Sequence, residues 1–507
     1  MPDLHFPPPG DWLIFALFLL GLSGLIGFAN WMQRVHAVSA ERTRKLVHVL
    51  SGVAVLLSPF LFATPVLLLV LAALFVLLNA LALRTGRFAG IHATGRKTYG
   101  TVFYPLSFFL LTLLFWQREM TALWVGMSLL GIADFCAALA GGAAVQPIVL
   151  PLRSDRKTLQ GSLTMWLSSL LLVWAGFEWI APLLGPTPEP MRSLLAAVGI
   201  SLLATAAEAL SWRGSDNLTV PVLGAVMAYF YLHASQAAIT QFFTGEILAL
   251  AVAAVSYRVR FLDLSGALAT FMLGAVVFGL GGWVFSVPLL AFFVLSSLLS
   301  RFGARRKRAA SRAFQKGHRR DFGQVVANGG VPGLVVILWY IDPQPLWYAL
   351  FLGAVAAVTA DTWATEIGLL SRRPPRLITT LQTVTAGTSG AISGLGLFGA
   401  GLGAFIIALL GAALQFGGPG QRFGVTGIAF ITLAGVLAHL FDSLLGATIQ
   451  AQRICPTCRR ISEKKGECCG SERQPHSGWH WVDNDVVNGI CAVSGVLAVL
   501  LALPVLQ

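Results

Sequence analysis

Long apolar runs broken by short polar segments set the pattern of this chain. A hydrocarbon core takes roughly 20 apolar residues per helix, and sixteen runs approach that length. In the first half they are 12–31, 46–63, 65–83, 100–116, 121–142, 162–183, 192–211 and 217–235. In the second half they are 242–257, 264–280, 282–300, 324–341, 346–370, 391–414, 424–449 and 486–506. The runs at 242–257 and 264–280 are short and fit re-entrant or tilted segments. The pattern predicts an all-α polytopic membrane protein with about 16 transmembrane helices.

Composition agrees. Of 507 residues, 56% are apolar and 11% charged, against about 25% charged in soluble proteins. Disorder is excluded by the same apolar content. The net charge of +13 raises the question of where the bases sit. With sixteen spans, 32 of the 35 Lys and Arg residues fall in segments on one side. The positive-inside rule places those segments in the cytoplasm and both termini outside. The first run lacks a charged n-region and a cleavage site, so it reads as a retained helix. Nucleic acid is not an expected partner; a lipid bilayer is.

Acids inside the runs change the picture. Asp134, Glu208, Asp361, Glu366 and Asp442 lie in the cytoplasmic halves of their spans, and Asp216 and Asp483 open two others. A carboxylate facing lipid costs on the order of 3 kcal/mol on insertion scales. Isolated acids of this kind can simply pair with a nearby Arg or with backbone. Seven towards one face, each beside Gly, Thr, Ser or Asn, point to a polar site at the cytoplasmic boundary.

The acids also recur in one order. Gly100 and Gly323 each begin the fourth span of a half; Asp134 follows 34 residues later and Asp361 follows 38 later. Next come Lys157-Thr158 to Gly161-Ser162 and Gly387-Thr388-Ser389-Gly390, then Glu208 and Asp442, then Asp216-Asn217 and Asp483-Asn484. This order predicts two homologous eight-helix halves, 1–238 and 239–507. An even span count inserts both in parallel orientation, unlike inverted transporter repeats. The second half carries an additional Cys-rich segment, 450–481.

Carboxylates with Asn, Thr and Ser suit Mg²⁺ on a nucleotide phosphate, because Mg²⁺ takes hard oxygen ligands. Candidate Mg²⁺ ligands are Asp134, Asp216, Asp361, Asp442 and Asp483. Lys157, Thr158, Gly161 and Ser162 open a helix, whose N-terminal N–H groups suit phosphate. No P-loop motif is present, so a phosphoryl-transfer site would be built from membrane helices.

The first half resembles the phytol kinase and dolichol kinase family, which is related to CDP-diacylglycerol synthases. The resemblance rests on Arg44-Lys45 with His48, Arg96-Lys97 through Gly100 to Pro105, Asp134, Lys157 to Ser162, Glu208 and Asp216-Asn217. It implies CTP-dependent phosphorylation of an isoprenoid alcohol. The second half resembles the family containing plant phytyl-phosphate kinases. The matching residues are Gly323-Gln324 to Asn328-Gly329, Asp361-Thr362 to Glu366, Gly387 to Ser393, Asp442 to Gly446, and Trp481 through Asp483-Asn484 to Asn488. It implies a second transfer, from monophosphate to diphosphate.

Together the resemblances imply a bifunctional enzyme using CTP or another nucleoside triphosphate, with an isoprenoid alcohol and its monophosphate as substrates. Catalytic candidates are Asp134, Glu208, Asp361, Glu366 and Asp442. A hydroxyl acceptor benefits from a general base; Asp134 and Glu208 both qualify. A phosphate acceptor needs cations instead. Lys45, Arg96, Lys97, Arg319 and Arg320, with Gln324, Asn328, Thr362, Gly387, Thr388, Ser389, Ser393, Asn484 and Asn488, are the further nucleotide and phosphate candidates. The resemblances imply a bacterial inner membrane with sites facing the cytoplasm. A lipid cytidylyltransferase and a transporter of prenyl phosphates are the competing readings.

Of six cysteines, Cys136 and Cys491 lie in or near spans and read as inert. Cys455-x₂-Cys458, then Cys468-Cys469, with His476 and His480 beyond, suggest a small zinc site. Disulfides are disfavoured in the cytoplasm. Reduced thiols in a solvated loop are the plain alternative.

Overall fold

The computed structural model describes residues 5–35, 40–85, 98–152, 156–185, 187–302, 319–414, 424–459, 461–463 and 466–506. The chain forms two compact units, Met1–Ile239 and Thr240–Gln507. Both are helical; the strands are short and lie outside the spans.

In the first unit the helices are α1 (Pro9–Val35), α2 (Ala40–Leu61), α3 (Val66–Thr85), α4 (Gly100–Phe115), α5 (Met120–Ala143), α6 (Leu159–Leu184), α7 (Pro190–Ala209) and α8 (Asp216–His233). Small residues let their backbones approach, as in other membrane bundles. A Cβ on Gly126 of α5 would lie 2.5 Å from the Pro221 carbonyl of α8. The Cα atoms of Gly52 and Gly131 bring α2 and α5 together in the same way. Within α5, residues Leu129–Ala133 form a π-turn immediately before Asp134. His48 Nε2 lies 3.1 Å from the Leu130 carbonyl in that turn.

The second unit holds most of α9 (Gln236–Arg258), then α10 (Leu264–Arg301), α11 (Phe322–Ile341), α12 (Pro345–Gly368), α13 (Gly394–Leu414), α14 (Val425–Thr448) and α15 (Asn484–Leu506). α12 is the central helix, buried along most of its length. Its run Gly353-Ala354-Val355-Ala356-Ala357 admits α15 and α14 at backbone distance. A Cβ on Gly353 would meet the Gly495 carbonyl at 2.7 Å, and one on Gly435 would meet the Ala356 carbonyl at 3.0 Å. Strands β1 (Arg376–Leu377) and β2 (Ala391–Ile392) pair antiparallel and hold the loop between α12 and α13. The Cys-rich segment folds as β3 (Gln452–Ile454), β4 (Ile461–Ser462), β5 (Glu467–Cys468), β6 (Ser471–Glu472) and β7 (Gln474–Ser477). They pair antiparallel as a three-stranded sheet β4-β3-β7 and a hairpin β5-β6.

Every expected span falls on a helix, but the count differs. Among the described residues, twelve helices are long and apolar enough to cross a membrane. Leu46–Leu61 and Gly100–Phe115 are shorter apolar helices. α8, with Asp216, Asn217 and His233, is not among the twelve. The runs 264–280 and 282–300 are two helices of a 38-residue helical stretch, parted where Gly282 adopts a non-helical φ of 62° and ψ of −160°. A straight helix of that length would extend about 57 Å, well beyond the roughly 30 Å of hydrocarbon. The run at 242–257 is also no short segment, because α9 has 23 residues.

Candidate active sites

In the first unit, three acids from three helices converge. Asp134 follows the π-turn of α5, Glu208 ends α7 and Asp216 opens α8. Ligand oxygens of all three lie within 4.8 Å of one another. Lys157 joins them from the segment before α6: its ammonium bonds Glu208 and lies 3.2 Å from Asp216 Oδ2. Burial alone would lower the Lys157 pKa; the charges of Glu208 and Asp216 outweigh it and hold the ammonium above its ordinary value. Lys157, expected at a phosphate, thus stands beside the carboxylates of Glu208 and Asp216.

Around the acids, short polar contacts fix the geometry. Ser211 Oγ donates to Asp216 Oδ2 at 3.0 Å, and Asn217 donates to Asp216 Oδ1 from both backbone N and Nδ2 at 3.0 Å. Thr158 caps α6 by accepting from Gly161 N at 3.2 Å. A Cβ on Gly161 would lie 3.2 Å from the Ala137 carbonyl, so α6 seats against α5 one turn beyond Asp134. Ser162 Oγ and Glu208 Oε2 are buried without a hydrogen-bond partner. Arg96 and Lys97 lie outside the described residues, as does the side chain of Lys45 in α2.

In the second unit the predicted residues surround a cavity of about 410 Å³. Asp361, Thr362 and Glu366 line it from α12, and Asp442 lines it from α14. Arg320, Gln324 and Asn328 contribute from the start of α11, and Asn484 and Asn488 from α15. Gly387, Thr388, Ser389 and Ser393 line it from the loop before α13. Gly387 and Gly390 have φ of 89° and 75°, the left-handed region open to glycine. A Cβ on Gly390 would also lie 2.6 Å from the Ser443 carbonyl of α14. Ser393 Oγ accepts from Gly396 N at 3.1 Å and opens α13.

Arg320 is held by its backbone between two helix starts. Its N–H donates to the Phe261 carbonyl at 2.9 Å and its carbonyl accepts from Asp263 N at 3.1 Å. Asp263 caps α10, and Asp321 caps α11 in a reciprocal box with Gln324. The guanidinium lies over Phe292 and Phe293, at 5.3 and 5.6 Å. Burial lowers its pKa to about 10, with Glu366 opposing the shift. Glu366 accepts from Ser300 Oγ at 2.6 Å. Asp442 and Asp361 line the same cavity, and Asp442 Oδ1 is buried without a hydrogen-bond partner.

Two expectations shift. Asp483 does not line the cavity; its Oδ1 accepts from Asp485 N and Val486 N at 3.1 and 3.2 Å and opens α15. Arg319 is exposed and is not among the lining residues.

The lining residues not anticipated include His439, Gln450 and Glu463. His439 stands three residues before Asp442, which puts both on one helix face; that spacing was the available signal. Glu463 comes from the Cys-rich insert, and its carboxylate accepts from Ser389 Oγ. Burial, with Asp361 and Asp483 nearby, pushes its pKa up against hydrogen bonds from Ser389 and Gln450. Sequence carried no signal for it.

Comparison with known proteins follows from this geometry. Residues 247–496 match a family described as "Integral membrane protein DUF92". Protein PGR of Arabidopsis thaliana is 32% identical over 263 residues, 48% of this chain and 89% of that one. The chain belongs to the DUF92 family of integral membrane proteins. Beyond PGR, this DUF92 member is similar to the phytol kinase of Synechocystis sp., 29% identical over 223 residues, 43% of this chain and 91% of that one. It is also similar to Protein VTE6, chloroplastic, of Arabidopsis thaliana, 25% identical over 252 residues, 48% and 67% of the two chains. No solved structure matches the chain.

Proposed function

We propose that this chain is an isoprenoid alcohol kinase and isoprenyl-phosphate kinase, making a prenyl diphosphate in two nucleotide-dependent transfers. The observation that carries the reading is the second-unit cavity, where Arg320 and a glycine-containing loop face the carboxylates of Asp361 and Asp442. Similarity to a protein named phytol kinase supports the substrate class. The matched order of acids supports an internal duplication, with residues 1–238 and 239–507 as the two domains. Asp134, Glu208 and Asp216 are neighbours in the first unit, and Asp361 and Asp442 line one cavity in the second.

The donor sets fit Mg²⁺. In the first unit, three carboxylates gather around the Lys157 ammonium, and Glu208 Oε2 has no hydrogen-bond partner. In the second, Asp442 Oδ1 is likewise without a partner. Asp134, Glu208 and Asp216, and separately Asp361 and Asp442, would hold the ion. When bound, Mg²⁺ supplies charge neutralisation among phosphate oxygens.

The two units then do different work. In the first, Asp134 or Glu208 accepts the proton of the alcohol, and Lys157 keeps the acids in register. In the second, the acceptor is already an anion and needs no base. Arg320, backed by two aromatic rings, offsets the repulsion between the two phosphate groups. An adjoining apolar cavity shares Arg320, Gln324 and Asn328 and is otherwise lined by residues such as Leu273, Val277, Phe278 and Leu289. It suits the hydrocarbon chain of an acceptor whose phosphate lies at Arg320. CTP is the proposed donor. Both termini outside and the sites towards the cytoplasm is the proposed orientation.

Radiolabelled phytol, farnesol or geranylgeraniol with CTP and Mg²⁺ tests this. Asp361→Ala should accumulate monophosphate, and Asp134→Ala should give no product from the alcohol. Diphosphate formation surviving both substitutions rules the reading out. Release of pyrophosphate with a CDP-lipid product would identify a cytidylyltransferase instead.

A further inference from the structure

The insert between α14 and α15 has almost no apolar core. Among its described residues from Ala451 to Trp481, only Cys455 and Ser462 are buried. Segments this small hold a fold with a staple, either disulfides or a metal. All four of its cysteines are free thiols. Their sulfurs nonetheless converge, each within 4.8 Å of the others. Cys468 Sγ lies 3.8 Å from both Cys458 Sγ and Cys469 Sγ. A disulfide needs about 2.0 Å. Four sulfurs at the usual 2.3 Å from a tetrahedral zinc lie about 3.8 Å apart.

The backbone is shaped to the same end. Cys455 to Arg459 closes a turn, with Arg459 N donating to the Cys455 carbonyl at 2.9 Å and Arg459 at φ 55°. The Cys455 thiol donates to the Cys468 carbonyl at 3.3 Å, which ties the first turn to the second pair of cysteines. On the other side, Cys469 and Gly470 make the two-residue turn of the β5–β6 hairpin with φ of 53° and 76°. A cysteine in the left-handed region is strained, and here the strain sets its thiol beside that of Cys468. Thr457 Oγ1 and Ser471 Oγ meet at 3.0 Å and tie the two turns together. His476, the expected additional ligand, is exposed on β7 and is not part of the group.

We propose that Cys455, Cys458, Cys468 and Cys469 bind one structural zinc ion, which folds the insert and thereby delivers Glu463 into the second-unit cavity. Binding converts four thiols to thiolates and releases their protons to solvent; no electron is transferred. Glu463 follows directly after β4, which pairs with β3, and β3 leads into Cys455. Zinc is therefore a positioning element for Glu463 and touches neither substrate. The assignment stands whether or not the reaction is phosphoryl transfer, because its readouts are metal content and backbone protection.

Full-length protein purified under reducing conditions should retain about one zinc per chain. Cys455→Ser with Cys468→Ser should lower that at least about tenfold, while Cys136→Ser should leave it unchanged. Because a cysteine variant can misfold, metal-free wild-type chain is also titrated with Co²⁺, which should give the thiolate-to-cobalt charge-transfer band of a tetrahedral four-sulfur site. Protease should cut between Ala451 and Trp481 in the metal-free chain, and zinc should restore protection. Protein that takes up neither zinc nor cobalt, or a double variant that keeps its zinc, overturns the site. Cleavage indifferent to zinc overturns its structural role.

Discussion

His439 Nδ1 lies 3.1 Å from Asp361 Oδ1 and joins α14 to α12 across the wall of the second-unit cavity. The ring is buried and the carboxylate largely so. The contact orients the Asp361 carboxylate in the cavity that Asp442 also lines.

Removing that contact should release Asp361 without deleting it. Partners that orient a functional carboxylate typically carry 10- to 100-fold effects, so His439→Ala should slow the monophosphate-to-diphosphate step by about that much. His439→Gln, which can still donate, should recover part of the rate. Steady-state kinetics on prenyl monophosphate measure this, and the alcohol step should not change. An unaltered rate in His439→Ala would show that the pairing is only packing.

Lys157 should matter to stability as much as to chemistry. Taking one partner from a buried ion group leaves uncompensated charge, which costs on the order of 3 kcal/mol. Lys157→Met should lower the unfolding temperature of the chain in detergent, and Lys157→Met with Glu208→Gln should regain most of the loss. A double variant no more stable than the single would argue against charge pairing as the cause.

Gly390 should tolerate no side chain. Its φ is 75°, and a Cβ would press on Ala447 N and the Ser443 carbonyl, each at 2.6 Å. Gly390→Ala should cost on the order of 2 kcal/mol in strain and raise the apparent KM for nucleotide. Thermal unfolding and nucleotide titration report the two effects separately.

Glu463 should give the insert a pH response. Its folded-state pKa is raised by burial above the ordinary value of 4.5. The sign follows: the folded chain holds the proton longer than the unfolded one, so this contribution to stability is present below the ordinary value and fades as pH rises through the folded value. Glu463→Gln should flatten that part of the stability profile. A profile unchanged by the substitution would mean that the carboxyl titrates normally.

The spans were legible because each needs a long apolar run, and the acids were legible because they interrupt such runs. Even the grouping of Asp134 with Glu208 and Asp216 could be read, since their order recurs in Asp361, Asp442 and Asp483. What sequence could not supply was reach. Lys157 at a helix start looks like a phosphate ligand until α7 and α8 place two carboxylates beside it. Asp483, like Asp216, accepts from the first turn of its helix, but it is not among the cavity-lining residues. The hydrophobic pattern breaks at Gly281-Gly282, and the helix breaks there too, at the non-helical backbone of Gly282. Glu463 depends on a sheet of two- to four-residue strands, too short to leave a periodic signature.

A π-turn is one residue more than an α-turn, so helix α5 changes phase by about 100° at Leu129–Ala133. Before it, Gly126 faces α8; after it, Gly141 and Ala137 face α6. One continuous rod thus offers two differently directed contact stripes, and Asp134 stands at the seam. Helix α12 runs through Asp361 with no such break. Asp134 therefore sits where its helix turns from one partner to another, whereas Asp361 sits in an unbroken rod.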